Sequence, residues 1–348
     1  MILLSICIAT RNRSDFLLET VKCLLDQAGD NVEIVIVDGA SSDDSKSKIE
    51  ALKVSSSKLR YFYEDINSGV DRDFDKSVEY ALGKYCWLFS DDDLVEPNAI
   101  SLVLSSIETA PDLVVVNSSI HSKFFGKVLC KNVLQSEKDV TYEESGERSF
   151  IDLASYLSFI GAIVVKRDFW LTRNRKIYHG SAFAHLGVIF QKPLPSKVHL
   201  LSSPLIKIRY GNSEWAPRGF NIWFKNWPSQ VMVLDSLSIA TRKKVANNGI
   251  AGLFKFCLLY RAMGSYDYEI YKKSVSGNHS KYADLILKLV SLIPVKILNA
   301  LLTLAFLKNN KSLVNVYRLS NSPGSSRFSK WIAYKFRLEA GILNKIGK

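Results

Sequence analysis

Residues 1–44 read MILLSICIATRNRSDFLLETVKCLLDQAGDNVEIVIVDGASSDD, and two short apolar runs in them decide the fold class. Residues 2–9 form a near-continuous apolar strand. Ser14 then caps a helix with Leu17, Val21, Leu24 and Leu25 on one face, and residues 32–37 make a second strand. Strand, helix and strand within about thirty residues are one βαβ unit, the building block of a parallel sheet.

The pattern continues outward. Ser42, Asp43 and Asp44 open the next helix, residues 59–63 are a strand, and Phe74, Val78, Ala81 and Leu82 fall on one helical face. Residues 85–89 are another strand, Pro97 sits where a helix begins, and residues 112–116 follow as a strand. Strands are also expected at 123–133, 161–165 and 198–210, and beyond Asn221 nearly everything reads helical. The expected architecture is α/β, a Rossmann-like, mostly parallel sheet followed by a basic α-helical region. Its domains are 1–220, with a nucleotide-binding half to about 120 and an acceptor half from 121, and 221–348.

The chain has 348 residues, 47% of them apolar and 23% charged, which excludes disordered and collagen-like classes. Its net charge is +12, unevenly divided. Residues 235–348 hold 19 Lys/Arg against 5 Asp/Glu, a net +14, and the first 234 residues are at −2. No helix-turn-helix, zinc-finger or ribonucleoprotein pattern accompanies the charge, so nucleic acid is not the expected partner. The five cysteines are scattered and never spaced C-x-x-C, which indicates neither a disulfide framework nor a zinc site and fits a reducing cytoplasm. No basic segment precedes the apolar start, so a cleaved signal peptide is not expected. The stretch 285–307 is interrupted by Lys288, Pro294, Lys296 and Asn299, so no spanning helix is expected either.

Ser90-Asp91-Asp92-Asp93 directly follows the strand 85–89. Adjacent carboxylates repel, so they either complement a helix N-terminus or hold a divalent cation, Mg²⁺ or Mn²⁺, together with substrate phosphates. Asp38 ends the strand 32–37, and Thr10, Arg11 and Arg13 follow the first strand. In an open parallel sheet these three loops converge on one crevice, where Arg11 and Arg13 can bind phosphate and Asp38 can accept from the N–H groups of a base.

The set SICIATRNR, VDGASSD, NSGVDRDF and ALGKYCWLFSDDD, in this order and spacing, resembles the family 2 glycosyltransferases of the GT-A fold. Asn67, Gly69, Asp71, Arg72 and Phe74, with Tyr85-Cys86-Trp87 and Lys166, look most like the abequosyltransferase group of O-antigen enzymes. That resemblance implies a transferase that moves a sugar, by the narrower likeness a dideoxyhexose such as abequose from a CDP donor, to a lipid-linked surface oligosaccharide. Thr10, Arg11, Arg13 and Asp38 match the nucleotide pocket, and Asn67, Gly69 and Arg72 the segment that packs along the nucleotide. Asp91, Asp92 and Asp93 match the ribose and metal motif, with Asp92 the metal ligand, Asp91 a second one and Asp93 among the catalytic groups. Ser90 stands where the commonest form of the motif has an acid, so Asp91 supplies the ribose contact or that contact is lost.

Arg209 is expected to stabilise the leaving diphosphate, and Trp215 to stack on the sugar. The stretch 178–186 lacks the family's acidic base. His185 is the first substitute, as base or as a further metal ligand, with His179 second; without a base, Asp71 or Glu214 support a retaining transfer. Phe220, Trp223, Phe224 and Trp227 share a helical face that reads as core. The basic helices fit either peripheral attachment to the anionic inner face of the bacterial cytoplasmic membrane or a plain helical domain. A nucleotidyltransferase would need a Gly-rich phosphate loop after the first strand, which residues 9–13 lack. A non-catalytic membrane-bound partner of other transferases would not need three aspartates.

Overall fold

The computed structural model describes residues 1–212, 218–246, 249–277, 279–308 and 313–338. They form two compact units: Met1–Ser119, Asn132–Ile208 and Asn226–Ala246 in the first, and Ile120–Lys131, Arg209–Lys225 and Asn247–Lys348 in the second.

The first unit opens with strict alternation: β1 (Leu4–Thr10), α1 (Ser14–Leu25), β2 (Val32–Asp38), α2 (Ser45–Val54), β3 (Leu59–Tyr63), α3 (Val70–Tyr80) and β4 (Tyr85–Phe89). β5 (Leu94–Val95), α4 (Ala99–Ile107) and β6 (Leu113–His121) follow. After β7 (Val128–Cys130), which falls in the second unit, come β8 (Val140–Glu143), α5 (Gly146–Leu157), β9 (Ile163–Lys166), α6 (Arg167–Leu171), α7 (Ala184–Ile189) and β10 (Lys197–Arg209). The strands run in the order β3-β2-β1-β4-β9-β6-β10-β5, with β8 paired to β10. β3, β2, β1 and β4 are mutually parallel, and β9 runs antiparallel to β4 and β6.

Every residue of β1 and of β2 is buried, as unbroken apolar strands covered on both faces require. Ile6, Ile8, Ile34 and Ile36 pack with Leu17, Val21 and Leu24 of α1 in one core. The winding reverses between β1 and β4, so the crevice beyond their carboxyl ends is the switch point at which such sheets bind ligands.

Two local expectations are corrected. The helical face expected through Leu82 ends at Tyr80: Ala81 is extended and Leu82 exposed, because the chain must turn into β4. Of the strand expected over 123–133 only Val128–Cys130 forms, since Phe125 adopts φ +57° in a turn closed by the Lys127 carbonyl accepting from the Ser122 amide.

The remaining helices are α8 (Gly219–Asn221), α9 (Trp227–Met232), α10 (Ile239–Ala246), α11 (Gly249–Met263), α12 (Tyr268–Ile270), α13 (Lys281–Leu292), α14 (Val295–Leu307), α15 (Leu313–Ser320) and α16 (Arg327–Lys335), of which α9 and α10 belong to the first unit. The aromatic face expected to be continuous is therefore divided. Phe220 stacks on Tyr266 and Phe224 in the second unit's core, and Trp227 packs edge-on against Phe183 in the first.

One side chain ties the second unit together. Asn299, fully buried on α14, donates to the carbonyls of Ala262 on α11 and Leu319 on α15, each at 3.1 Å, and accepts from the amide of Ser326, the N-cap of α16, at 3.0 Å. Among the described residues no single helix is long and apolar enough to cross a membrane.

Asn299→Ala strands three buried backbone groups, so urea denaturation is expected to show a loss of about 3 kcal/mol or more. Leu301→Ser, on the exposed side of the same helix, is expected to stay within about 0.5 kcal/mol of the parent.

Candidate active site

β1 and β4 are parallel neighbours with Ile8 opposite Phe89, so the loops leaving them emerge side by side. The Thr10 hydroxyl donates to Asp91 Oδ2 at 2.8 Å, and Arg13 Nε donates to Asp91 Oδ1 at 3.0 Å. Arg13 Nη2 pairs with Asp92, which also accepts from the Ser90 hydroxyl. Thr20, from inside α1, donates to the Asp93 carbonyl at 2.8 Å and fixes the loop from below. Asp93 itself is buried.

Desolvation dominates the electrostatics here. Burial pushes the Asp91 carboxyl up to about 7, and the neighbouring Asp92 adds to this, against the pull of Arg13 and Thr10. The Arg13 guanidinium is a counter-charge shared by two carboxylates.

The oxygen donors of Asp91 and Asp92 suit a hard cation. Among the described residues no group of three or more His, Cys, Asp or Glu side chains converges on a metal position. The donor set thus fits Mg²⁺ or Mn²⁺ held by one or two carboxylates and completed by substrate phosphates and water, not an all-protein cage.

The β2 loop closes the crevice on the other side. Asp38 is fully buried with both oxygens engaged: Oδ2 accepts from the Tyr61 hydroxyl at 2.6 Å and Oδ1 from the Ser41 amide at 2.8 Å. Burial and this contact raise the pKa of the Tyr61 phenol. Gly39 gives room to Asp73: a Cβ there would lie 2.6 Å from Asp73 Oδ2 and would force that carboxylate to move. Asn12, at φ +56°, clips the two loops together: its amide donates to Ser41 Oγ at 2.8 Å, and its Oδ1 accepts from the Ser42 amide at 2.7 Å.

Asn67 accepts from the Gly69 amide at 3.0 Å, and Gly69 at φ +91° starts α3. Asn67, Arg72 and Arg11 are exposed. α3 also holds the segment 175–182. Asp71 Oδ2 accepts from the amides of Gly180 and Ala182 at 2.8 and 3.1 Å. Asp75 accepts from Trp170 Nε1 at 3.0 Å, Arg175 Nη1 at 2.6 Å and His179 Nε2 at 3.2 Å.

The structure thus brings Thr10, Arg13, Asp91 and Asp92 into direct contact and sets Asp38 at the end of β2 and Gly69 and Arg72 at the start of α3. Other expected residues have partners of their own. His185 is 3% exposed, its Nε2 bonded to the Leu157 carbonyl at 2.8 Å, and burial lowers its pKa to about 4. Arg209 falls in the second unit, buried over the Phe125 ring with Nη1 donating to the Lys123 carbonyl at 2.8 Å. Glu214 and Trp215 lie outside the described residues. Sequence reasoning missed Tyr61, Asp73 and Asp75. Alternation along β3 marks Tyr61 as inward-facing, and three acids in the first turns of α3 are more than a helix N-terminus calls for.

Sheets of this α/β class bind their ligands at the switch point, and there the paired carboxylates and the Arg13 guanidinium lie. The family model described as glycosyl transferase family 2 matches residues 5–142. Residues 5–142 are thus similar to the catalytic domain of family 2, and with its glycosyltransferase relatives the chain is a nucleotide-sugar-dependent glycosyltransferase. Abequosyltransferase RfbV of Salmonella typhimurium is 23% identical over 232 residues, 62% of this chain and 69% of that protein. The GalNAc(5)-diNAcBac-PP-undecaprenol beta-1,3-glucosyltransferase of Campylobacter jejuni is 27% identical over 143 residues, and the match spans 46% of its length. The crystal structure of S. aureus TarS 1-349 in complex with UDP-GlcNAc superposes with a TM-score of 0.57 at 14% identity, covering 93% of each chain, a likeness of fold: GT-A.

The burial of His185 carries a pH signature. Its pKa is lower folded than unfolded, so the unfolded chain binds the extra proton, and the stability held above about pH 6.5 is lost as pH falls towards 4. Between pH 7.5 and 4 the parent is expected to lose about 3 kcal/mol more than His185→Gln, as read by denaturant titration at each pH. Parallel losses would mean that His185 titrates normally.

Proposed function

We propose that the chain transfers a deoxyhexose, with CDP-abequose the first candidate donor, to a sugar hydroxyl of a lipid-linked surface oligosaccharide. The observation that carries this reading is the contact of Thr10 and Arg13 with Asp91 and Asp92 at the β1–β4 switch point, with Asp38 at the end of β2. The RfbV likeness supports the deoxy sugar, and the PP-undecaprenol enzyme's name supports the lipid-linked acceptor. Five free cysteines support action on the reducing, cytoplasmic side of the membrane.

In this reading Asp38 and the Asn12–Ser41 clip position the base, and Asp91 accepts from the ribose. Asp92, with Asp91, holds Mg²⁺ or Mn²⁺ beside the diphosphate. When bound, the metal supplies electrophilic stabilisation of the departing phosphate. Arg11 and Arg13 bring positive charge to the same place. The acceptor oxygen bonds to the donor's anomeric carbon as that carbon's bond to the β-phosphate oxygen breaks, and the electron pair leaves on the phosphate. The acceptor's proton passes to His179. Asp75 accepts a hydrogen bond from its Nε2–H, which leaves the Nδ1 lone pair of the neutral ring to take the proton and form an imidazolium, and Asp71 holds the backbone that carries it.

Two measurements test this. Among CDP-, UDP-, GDP- and dTDP-linked sugars, the chain is expected to release nucleoside diphosphate in the presence of a lipid-linked acceptor and Mn²⁺ with at least one donor, fastest with the CDP-dideoxyhexose. No release from any of them would overturn the reading. His179→Gln is expected to lower kcat at least about a hundredfold with donor KM little changed. An unaltered kcat would remove His179 from the mechanism.

A further inference from the structure

We propose that the elbow of α13 and α14 inserts its outer face into the interfacial region of an anionic lipid bilayer. This rests on features separate from the donor site. α13 is apolar on two opposite faces. Ala283, Leu287 and Val290 are buried in the second unit, whereas Leu285, Leu289 and Leu292, with Tyr282, point away and are 53–75% exposed. α14 repeats this: Leu298, Asn299 and Thr303 face inward, and Ile297, Leu301 and Leu304 form an exposed stripe at i, i+4 and i+7. A soluble helix has one apolar face, and a second calls for a second apolar environment.

Length and charge select the occupant. The two helices have 12 and 13 residues, and they bend by 101° at the Ile293-Pro294 break. At about 1.5 Å per residue neither reaches across the roughly 30 Å hydrocarbon layer, so they lie in the interface. Lys281 and Lys308 are exposed near the ends of the stripes, where long side chains reach headgroups while their stems stay with the apolar surface. Residues 235–348 carry a net +14, which an anionic leaflet attracts and a second copy of the same charge repels. The charge complementarity therefore favours lipid over self-association.

Co-sedimentation of the full chain with vesicles tests this, using phosphatidylcholine alone and phosphatidylcholine with one-third phosphatidylglycerol. The parent is expected to bind the anionic vesicles and to bind the neutral ones much less. Leu289→Glu with Leu301→Glu alters only exposed positions, so the thermal midpoint should hold while the partition coefficient falls about tenfold or more. Lys281→Glu with Lys308→Glu should weaken binding to anionic vesicles and leave the apolar stripe intact, which keeps the test informative should the leucine variant lose its fold. The proposal is overturned if the parent binds neither vesicle, or if both variants bind like the parent. It is also overturned if light scattering without lipid finds a dimer that the leucine variant dissolves, because the stripe is then a contact between copies. Donor turnover in detergent-free buffer with a water-soluble acceptor should be unaffected by either variant, so failure here leaves the transferase reading standing.

Discussion

Three consecutive aspartates at the end of a fully buried strand are an electrostatic problem before they are a catalytic motif. Asp91 cannot be desolvated beside Asp92 without a compensating charge, and the chain supplies one from the first loop, where Arg13 bonds both carboxylates and Thr10 donates to the first. That compensation works only if β1 and β4 are adjacent and parallel, as their register from Leu4↔Tyr85 to Ile8↔Phe89 makes them. The winding of the sheet and the make-up of the site are thus one constraint: the reversal that places β4 beside β1 also brings Thr10 and Arg13 against Asp91 and Asp92, the groups proposed to hold a diphosphate and its cation. A guanidinium already paired with the carboxylates marks where positive charge is wanted once a nucleotide arrives.

The same economy governs α3. Its first turns carry Asp71, Asp73 and Asp75, more acid than a helix dipole needs, and each has a separate task. Asp73, bonded to Ser68, fills the space that Gly39 leaves beside the β2 loop. Asp71 and Asp75 hold the segment 175–182 through backbone amides, Arg175 and His179. One short helix therefore sets both the nucleotide side and the segment that carries His179. Burial raises the pKa of both Asp71 and Asp73, opposed at Asp71 by the amides of Ala182 and Gly180 and at Asp73 by the Ser68 hydroxyl and the Lys76 ammonium.

Much of this was legible in the sequence because it is local. The strands at 59–63 and 85–89 fall where aromatic-rich runs put them, and Thr10, Arg13, Asp38 and Asp91 stand out because strand ends in a parallel sheet must converge. What stayed hidden depends on partners distant in the chain. Nothing near Asp38 announces Tyr61. His185 is a plausible ligand by type, but α7 turns its ring inward to the Leu157 carbonyl. The basic third misleads in another way, since composition reports a charge average and cannot show that the leucines of α13 lie on two opposite faces.

The central claim is that Asp91 and Asp92 form a cation-assisted diphosphate site. Calorimetric titration with CDP and UDP, with and without Mn²⁺, on the parent chain and on Asp92→Asn tests it most directly. The account predicts that Mn²⁺ tightens binding of at least one nucleotide to the parent at least about tenfold, one decade being about 1.4 kcal/mol. It predicts that the folded variant loses this enhancement while keeping its metal-free affinity. Equal binding with and without Mn²⁺, or an enhancement that survives in Asp92→Asn, would contradict it.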